Sequence, residues 1–144
     1  MTHDPLRSLR VRRPRWLFHG NDRTRRILLQ SRELLFERLF SNALPRLKIE
    51  HRYFPHRNAA NYSLLYLILR VVTELPVRRV LELGCGQTTL LLDDLARVRD
   101  LEITTVEHDA AWAARMQKQV RHSIIQAPLT LRDVRDTPCQ TYDL

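Results

Sequence analysis

Arg79-Val80-Leu81-Glu82-Leu83-Gly84-Cys85-Gly86-Gln87-Thr88-Thr89-Leu90-Leu91-Leu92-Asp93-Asp94-Leu95 is the stretch whose reading decides the fold of this 144-residue chain. Its first five residues are short and apolar, the pattern of a buried strand. Gly84-Cys85-Gly86 then breaks the run as a tight turn. From Thr88 to Val98 the apolar residues Leu91, Leu92, Leu95 and Val98 recur at helical spacing. Glu82 stands inside the apolar strand, where an unpartnered carboxylate is costly to bury. A role for it beyond packing is therefore expected.

Downstream, Leu101 to Val106 is rich in strand formers. Ala110 to Val120 reads as a helix with Trp112, Met116 and Val120 on its packed side. Ser123 to Leu129 gives a weaker strand, and Thr141 to Leu144 looks like the opening of another. Strands alternating with helices predict a parallel α/β sheet with right-handed crossovers.

Upstream, Asn58 or Asn61 is the expected cap of an unusually apolar helix. Leu64, Ile68, Val71 and Leu75 form its stripe, Leu65, Leu67 and Val72 widen it, and Pro76 ends it. So apolar a helix is expected to be covered on more than one side. Residues 45–57 read as a polar, aromatic connector broken by Pro55. Before it, an amphipathic helix of about 20 residues is expected, capped by Asn21 or Asp22. Its apolar positions are Ile27, Leu28, Leu34, Leu35, Leu39 and Phe40. Residues 1–20 show no period and read as a loose basic arm. The division expected is a basic arm and helix over 1–57, then an incomplete sheet domain over 58–144.

Charge is unevenly placed. The net charge is +8, yet residues 1–57 hold 14 Lys and Arg against 5 Asp and Glu, and residues 58–144 hold 10 against 11. Only Lys48 and Lys118 are lysines. Forked arginine donors suit phosphate, which leaves nucleic acid open as a partner. Trp16, Phe18, Tyr53 and Phe54 are too scattered to form a base-stacking surface. No run reaches the roughly 18–20 apolar residues that span a bilayer, and no secretory leader pattern follows Arg12 and Arg13. A cytoplasmic protein with no membrane contact is expected. Cys85 and Cys139 lack metal-ligand spacing; they are read as buried or free thiols in a reducing compartment, and no metal is expected.

Gly84 and Gly86 permit backbone angles closed to side chains and allow a ligand close to the main chain. The helix that follows offers N–H groups and a partial positive charge at its start. Glu107 ends the next strand 21 residues past Gly86, where an acid can accept hydrogen bonds from both hydroxyls of a ribose. The dinucleotide fingerprint is broken, because its third glycine would fall at Thr89. Glu82-x-Gly84-x-Gly86 instead resembles motif I of the class I S-adenosylmethionine (SAM) dependent methyltransferases. Val106-Glu107-His108-Asp109 is similar to the acidic end of that family's second strand. Tyr142-Asp143-Leu144 resembles the start of its fourth. The likeness spans roughly residues 79–144.

The resemblance implies a partial Rossmann-like sheet and SAM as cofactor. It implies that Gly84 and Gly86 lie under the methionine and ribose, with Cys85, Gln87 and Thr88 completing the turn. Glu82 would orient that turn or the cofactor's amino group, Glu107 would hold the ribose, and His108 would sit near the adenine. Thr88 stands where many members have a third glycine, and the adenine-side acid has no clear match, Asp133 being one possibility. Tyr53, Tyr62 and Ser63 are candidates to cover the site. In the family, acceptor and base residues follow the fourth strand. The expectation is therefore the cofactor-binding half of a methyltransferase, truncated before its acceptor region, with no catalytic base assigned. A small-molecule acceptor is expected. The alternatives are a nucleic-acid methyltransferase using the basic arm, or a non-catalytic interaction module.

Overall fold

The computed structural model describes residues 22–55, 60–128 and 142–144. Helix α1 spans Asp22–Ala43 and runs into a 3-10 turn at Leu44–Leu47, which ends at Lys48 in the left-handed region. Helix α2 (Tyr62–Glu74), strand β1 (Arg79–Leu83), helix α3 (Gln87–Leu95), strand β2 (Glu102–Glu107), helix α4 (Ala110–Gln117) and strand β3 (Ile124–Gln126) follow. The fold is α/β, as the alternation of patterns predicts. The arm over 1–20, the alternative caps Asn21 and Asn58, and Asp133 and Cys139 lie outside the described residues. None of the described helices is long and apolar enough to cross a membrane.

The three strands pair in parallel in the order β1-β2-β3. Leu81 sits opposite Thr104, Leu83 opposite Val106, and Thr105 opposite Ile124. Tyr142–Leu144 runs along the other side of β1. The Asp143 N–H donates to the Arg79 carbonyl at 2.8 Å, and the Leu81 N–H donates to the Leu144 carbonyl at 2.8 Å. The Asp143 carboxylate fixes this start by accepting from the N–H groups of Arg78 and Arg79. β1 is thus flanked on both sides, and its carboxyl end, where the glycines stand, falls mid-sheet.

The second of two compact units begins at Glu33 and ends at Leu144. Its core joins Leu65, Leu69 and Val72 of α2 with Val80, with Leu90, Leu91, Leu92 and Leu95 of α3, and with Met116 and Val120. Phe40, Leu44, Ile49 and Tyr53 belong to the same core. The end of α1 and the connector after it therefore pack with the sheet, upstream of the expected boundary at 57.

Three helices bury only part of their expected faces. In α1, Leu34, Leu35 and Leu39 are exposed, while Phe36 and Phe40 turn inward. These rings stack near Tyr66, Tyr53 and Tyr62 at centroid distances of 5.3–6.2 Å. Aromatic rings bury more area than leucine and gain from edge contacts, so they decide the face. In α2, Leu65, Leu69 and Val72 form the buried stripe, and Leu64, Leu67 and Leu75 are exposed. Ala113 and Met116 of α4 and Val120 beyond its end are buried; Met116 and Val120 are on the expected side, and Trp112 is 37% exposed. The cap of α2 is Asn61, whose side chain accepts from the Leu64 N–H at 3.0 Å.

Candidate functional site

Gly84 closes β1 with φ of 84°, the left-handed region that favours glycine. Its N–H still reaches β2, donating to the Val106 carbonyl at 2.7 Å. Gly86 caps α3 in an extended conformation, and its N–H donates to Thr89 Oγ1 at 2.7 Å. That bond returns the N3 hydroxyl to the cap, as in a capping box. A Cβ placed on Gly86 would meet nothing within 4 Å. Neither the backbone nor the packing of the protein itself demands glycine there. The space beside it is open at the carboxyl ends of the parallel strands, where ligands bind in open α/β sheets.

Glu107, at the end of β2, faces this turn. Its Oε2 accepts the Cys85 N–H at 2.9 Å and its Oε1 accepts the Asp109 N–H at 2.9 Å. Oε2 lies 4.0 Å from where a Gly84 Cβ would stand. Burial works against its ionisation, but the N–H groups of Asp109, Cys85 and His108 and the Cys85 thiol outweigh it and hold the carboxyl below its usual range. The Cys85 thiol and the exposed His108 ring are the weaker further donors to this carboxylate. The Cys85 thiol moves the other way, pushed up to about 12 by burial, by its hydrogen bond to Glu107 and by the charges of Glu107 and Glu82.

Glu82 is buried and points to the interior. It accepts from the Thr88 hydroxyl through Oε1 and from the Thr105 hydroxyl through Oε2 at 3.0 Å. Burial raises its pKa against the hydrogen bonds of Thr88, Thr89 and Thr105 and the field of His122. Of the two roles expected for Glu82, holding the turn is the one this geometry displays, because Thr88 belongs to the first turn of α3. Gln87 faces the upstream segment, its Oε1 accepting the Phe54 N–H at 3.1 Å. His108 is largely exposed, with Nδ1 2.9 Å from Glu107 Oε1.

The eight residues singled out from the sequence therefore gather at one end of β1 and β2. The upstream candidates divide. Tyr53 is buried, donating to Asp94 Oδ2 at 2.6 Å, and Tyr62 donates to the Tyr53 carbonyl at 3.1 Å. Ser63 donates to Glu33 through both N–H and Oγ. These bonds tie the segment to α3 and α1, and Phe54 reaches the turn through Gln87. A hollow of about 700 Å³ opens on this segment, lined by Phe40, Leu44, His51, Tyr53, Phe54 and Tyr62 among others.

Trp112 was missed from the sequence. Its indole N–H donates to the Cys85 carbonyl at 2.8 Å, which fixes the peptide between the glycines from the α4 side. The Arg115 guanidinium lies 5.5 Å over its ring. Asp109 caps α4 by accepting the Trp112 N–H at 2.9 Å. Asp93 and His122 were also missed, although two adjacent acids in the leucine run of α3 are a signal of buried polar function. Among the described residues, no group of three or more metal-ligating side chains exists. No family model, curated protein or solved structure matches the chain.

Proposed function

We propose that the chain binds SAM at the glycine turn between β1 and α3, as the cofactor-holding part of a SAM-dependent methyltransferase of the cytoplasm. The observation that carries this reading is the open space at Gly86, with Glu107 facing the same turn from β2. A strand-end carboxylate across a glycine turn suits a ribose, and close main-chain approach suits the methionine part beside it. When bound, SAM supplies a methyl group already activated by its positive sulfur.

The chain's own residues position rather than react. Gly84 and Gly86 admit the ligand to the main chain. The Cys85 and Asp109 N–H groups hold Glu107 ionised and aimed, and sugar hydroxyls would take the place of the weaker Cys85 thiol and exposed His108 contacts. Glu82 and Thr88 fix the first turn of α3, and Trp112 fixes the Cys85 peptide. Positioning of this kind is a large share of the rate in a displacement on an activated carbon. No residue is assigned as a base, and the acceptor proposed is a small molecule. The alternative acceptor, nucleic acid held by the arginine-rich arm, rests mostly on residues outside those described.

Calorimetric titration with SAM and with S-adenosylhomocysteine tests the proposal. Binding is expected in the unaltered chain and is expected to weaken at least about tenfold in Gly86→Asp, which places bulk and like charge near Glu107. The open space around Gly86 means that this variant should still fold. Equal affinity in the two proteins would remove the turn as the site.

A further inference from the structure

A chain of hydrogen bonds crosses the sheet behind the glycine turn. Asp93 Oδ1 lies 3.0 Å from His122 Nδ1, His122 Nε2 lies 3.0 Å from Thr105 Oγ1, and Thr105 Oγ1 lies 3.0 Å from Glu82 Oε2. Glu82, Asp93 and Thr105 are buried, and the His122 side chain is 13% exposed. The four residues come from β1, β2, α3 and the segment between α4 and β3.

The count of hydrogens constrains this chain. Asp93 Oδ1 also accepts the backbone N–H groups of Arg121 and His122. Burial opposes its charge, yet those donors and the His122 ring hold its carboxyl below the usual range. An ionised Asp93 requires a hydrogen on His122 Nδ1. The Thr105 hydroxyl has one hydrogen and two neighbours that both need one. If Thr105 donates to an ionised Glu82, His122 Nε2 must carry a hydrogen and donate to Thr105. If Thr105 donates to a bare Nε2, Glu82 must be protonated and donate to Thr105. Either way, one proton beyond the Nδ1 hydrogen satisfies every contact.

We propose that Glu82 and His122 share a single proton through the hydroxyl of Thr105, so that His122 is a positioning residue that sets the charge of the carboxylate beneath the glycine turn. In the transfer, the Glu82 O–H bond breaks as an O–H bond forms at Thr105. The original Thr105 O–H bond breaks as an N–H bond forms at His122. Glu82 gains a negative charge and His122 a positive one, and nothing else is consumed. Among the described residues, the Cys85 thiol feels the charge of Glu82 and the Tyr53 phenol that of Asp93. Arg121 Nε lies 3.5 Å and Arg97 3.8 Å from Asp93 Oδ2. Gln117 holds the His122 carbonyl, and Thr88 and Thr89 face Glu82. A cationic ligand at the turn would draw the proton toward His122 and leave Glu82 ionised. That last consequence rests on the SAM reading; the relay itself does not.

Histidine-ring and carboxyl carbon NMR on the free chain tests the relay, with the His122 signal assigned from His122→Gln. One proton between two sites means that the protonated fractions of His122 Nε2 and of the Glu82 carboxyl should sum to one near neutral pH, with Nδ1 protonated. Thr105→Val and Glu82→Gln should each displace the Nε2 signal, and Thr105→Ser should restore it. Glu82→Gln decides the matter if the valine variant does not fold. Both groups bare, both groups protonated, or a ring with Nδ1 bare in the unaltered chain would overturn the relay. With SAM added, whose sulfonium supplies the positive charge, His122 should move toward the imidazolium form. Calorimetric binding without that shift would overturn the coupling, whereas no binding at all would count against the SAM reading and leave the free-chain result standing.

Discussion

Glu107 and Cys85 form the tightest pair at the site. The carboxylate that accepts the Cys85 N–H also faces its thiol, and with burial it pushes the thiol pKa up to about 12. Because the thiolate is the nucleophile, a thiol pushed up this way holds very little reactive form at pH 8. Iodoacetamide labelling, followed at the Cys85 peptide by mass spectrometry, should therefore be very slow. Glu107→Gln should speed it about tenfold or more by removing the opposing charge. Labelling at the rate of an exposed thiol in the unaltered chain would contradict the geometry. At this scale much was legible. Glu82 in an apolar strand demands partners, and Thr88 and Thr105 supply them. Trp112 was not legible, because its spacing with Met116 and Val120 differs by one residue from that of Ala113, the position that is buried. Two overlapping apolar stripes on a short helix do not reveal which one turns inward.

The same ambiguity governs the longer helices. α1 offers a leucine stripe and an aromatic stripe, and the aromatic one is packed. Its Glu33 also receives the N–H and hydroxyl of Ser63 at the start of α2, which suits a negative group near a helix N-terminus. In α2 the expected and observed stripes differ by one residue, since nearly all its positions are apolar. Helix starts were more legible than helix faces, because a cap needs a particular side chain. Asn61 accepts the Leu64 N–H, and Asn61→Ala should cost about 1 kcal/mol. Thermal unfolding should show a midpoint lower by about 3–4 °C for a domain of this size. An unchanged midpoint would mean that the bond does not hold the helix start.

Across the molecule, alternation of strand and helix patterns conveys a parallel sheet but not where each strand lies. Tyr142–Leu144 joins β1 on the side away from β2, a long-range pairing that no local pattern encodes. That placement puts the Gly84 turn at the point where successive connections diverge to opposite sides, the usual location of a ligand in such sheets. The relay of Asp93, His122, Thr105 and Glu82 likewise unites distant segments and was invisible in the sequence. The most direct measurement of the central claim follows the backbone amide signals of an isotope-labelled chain as S-adenosylhomocysteine is added. Cys85, Gly86 and Asp109, whose N–H groups line the glycine turn and its facing carboxylate, should shift first and saturate together. Saturating ligand that leaves those three amides in place would contradict the account.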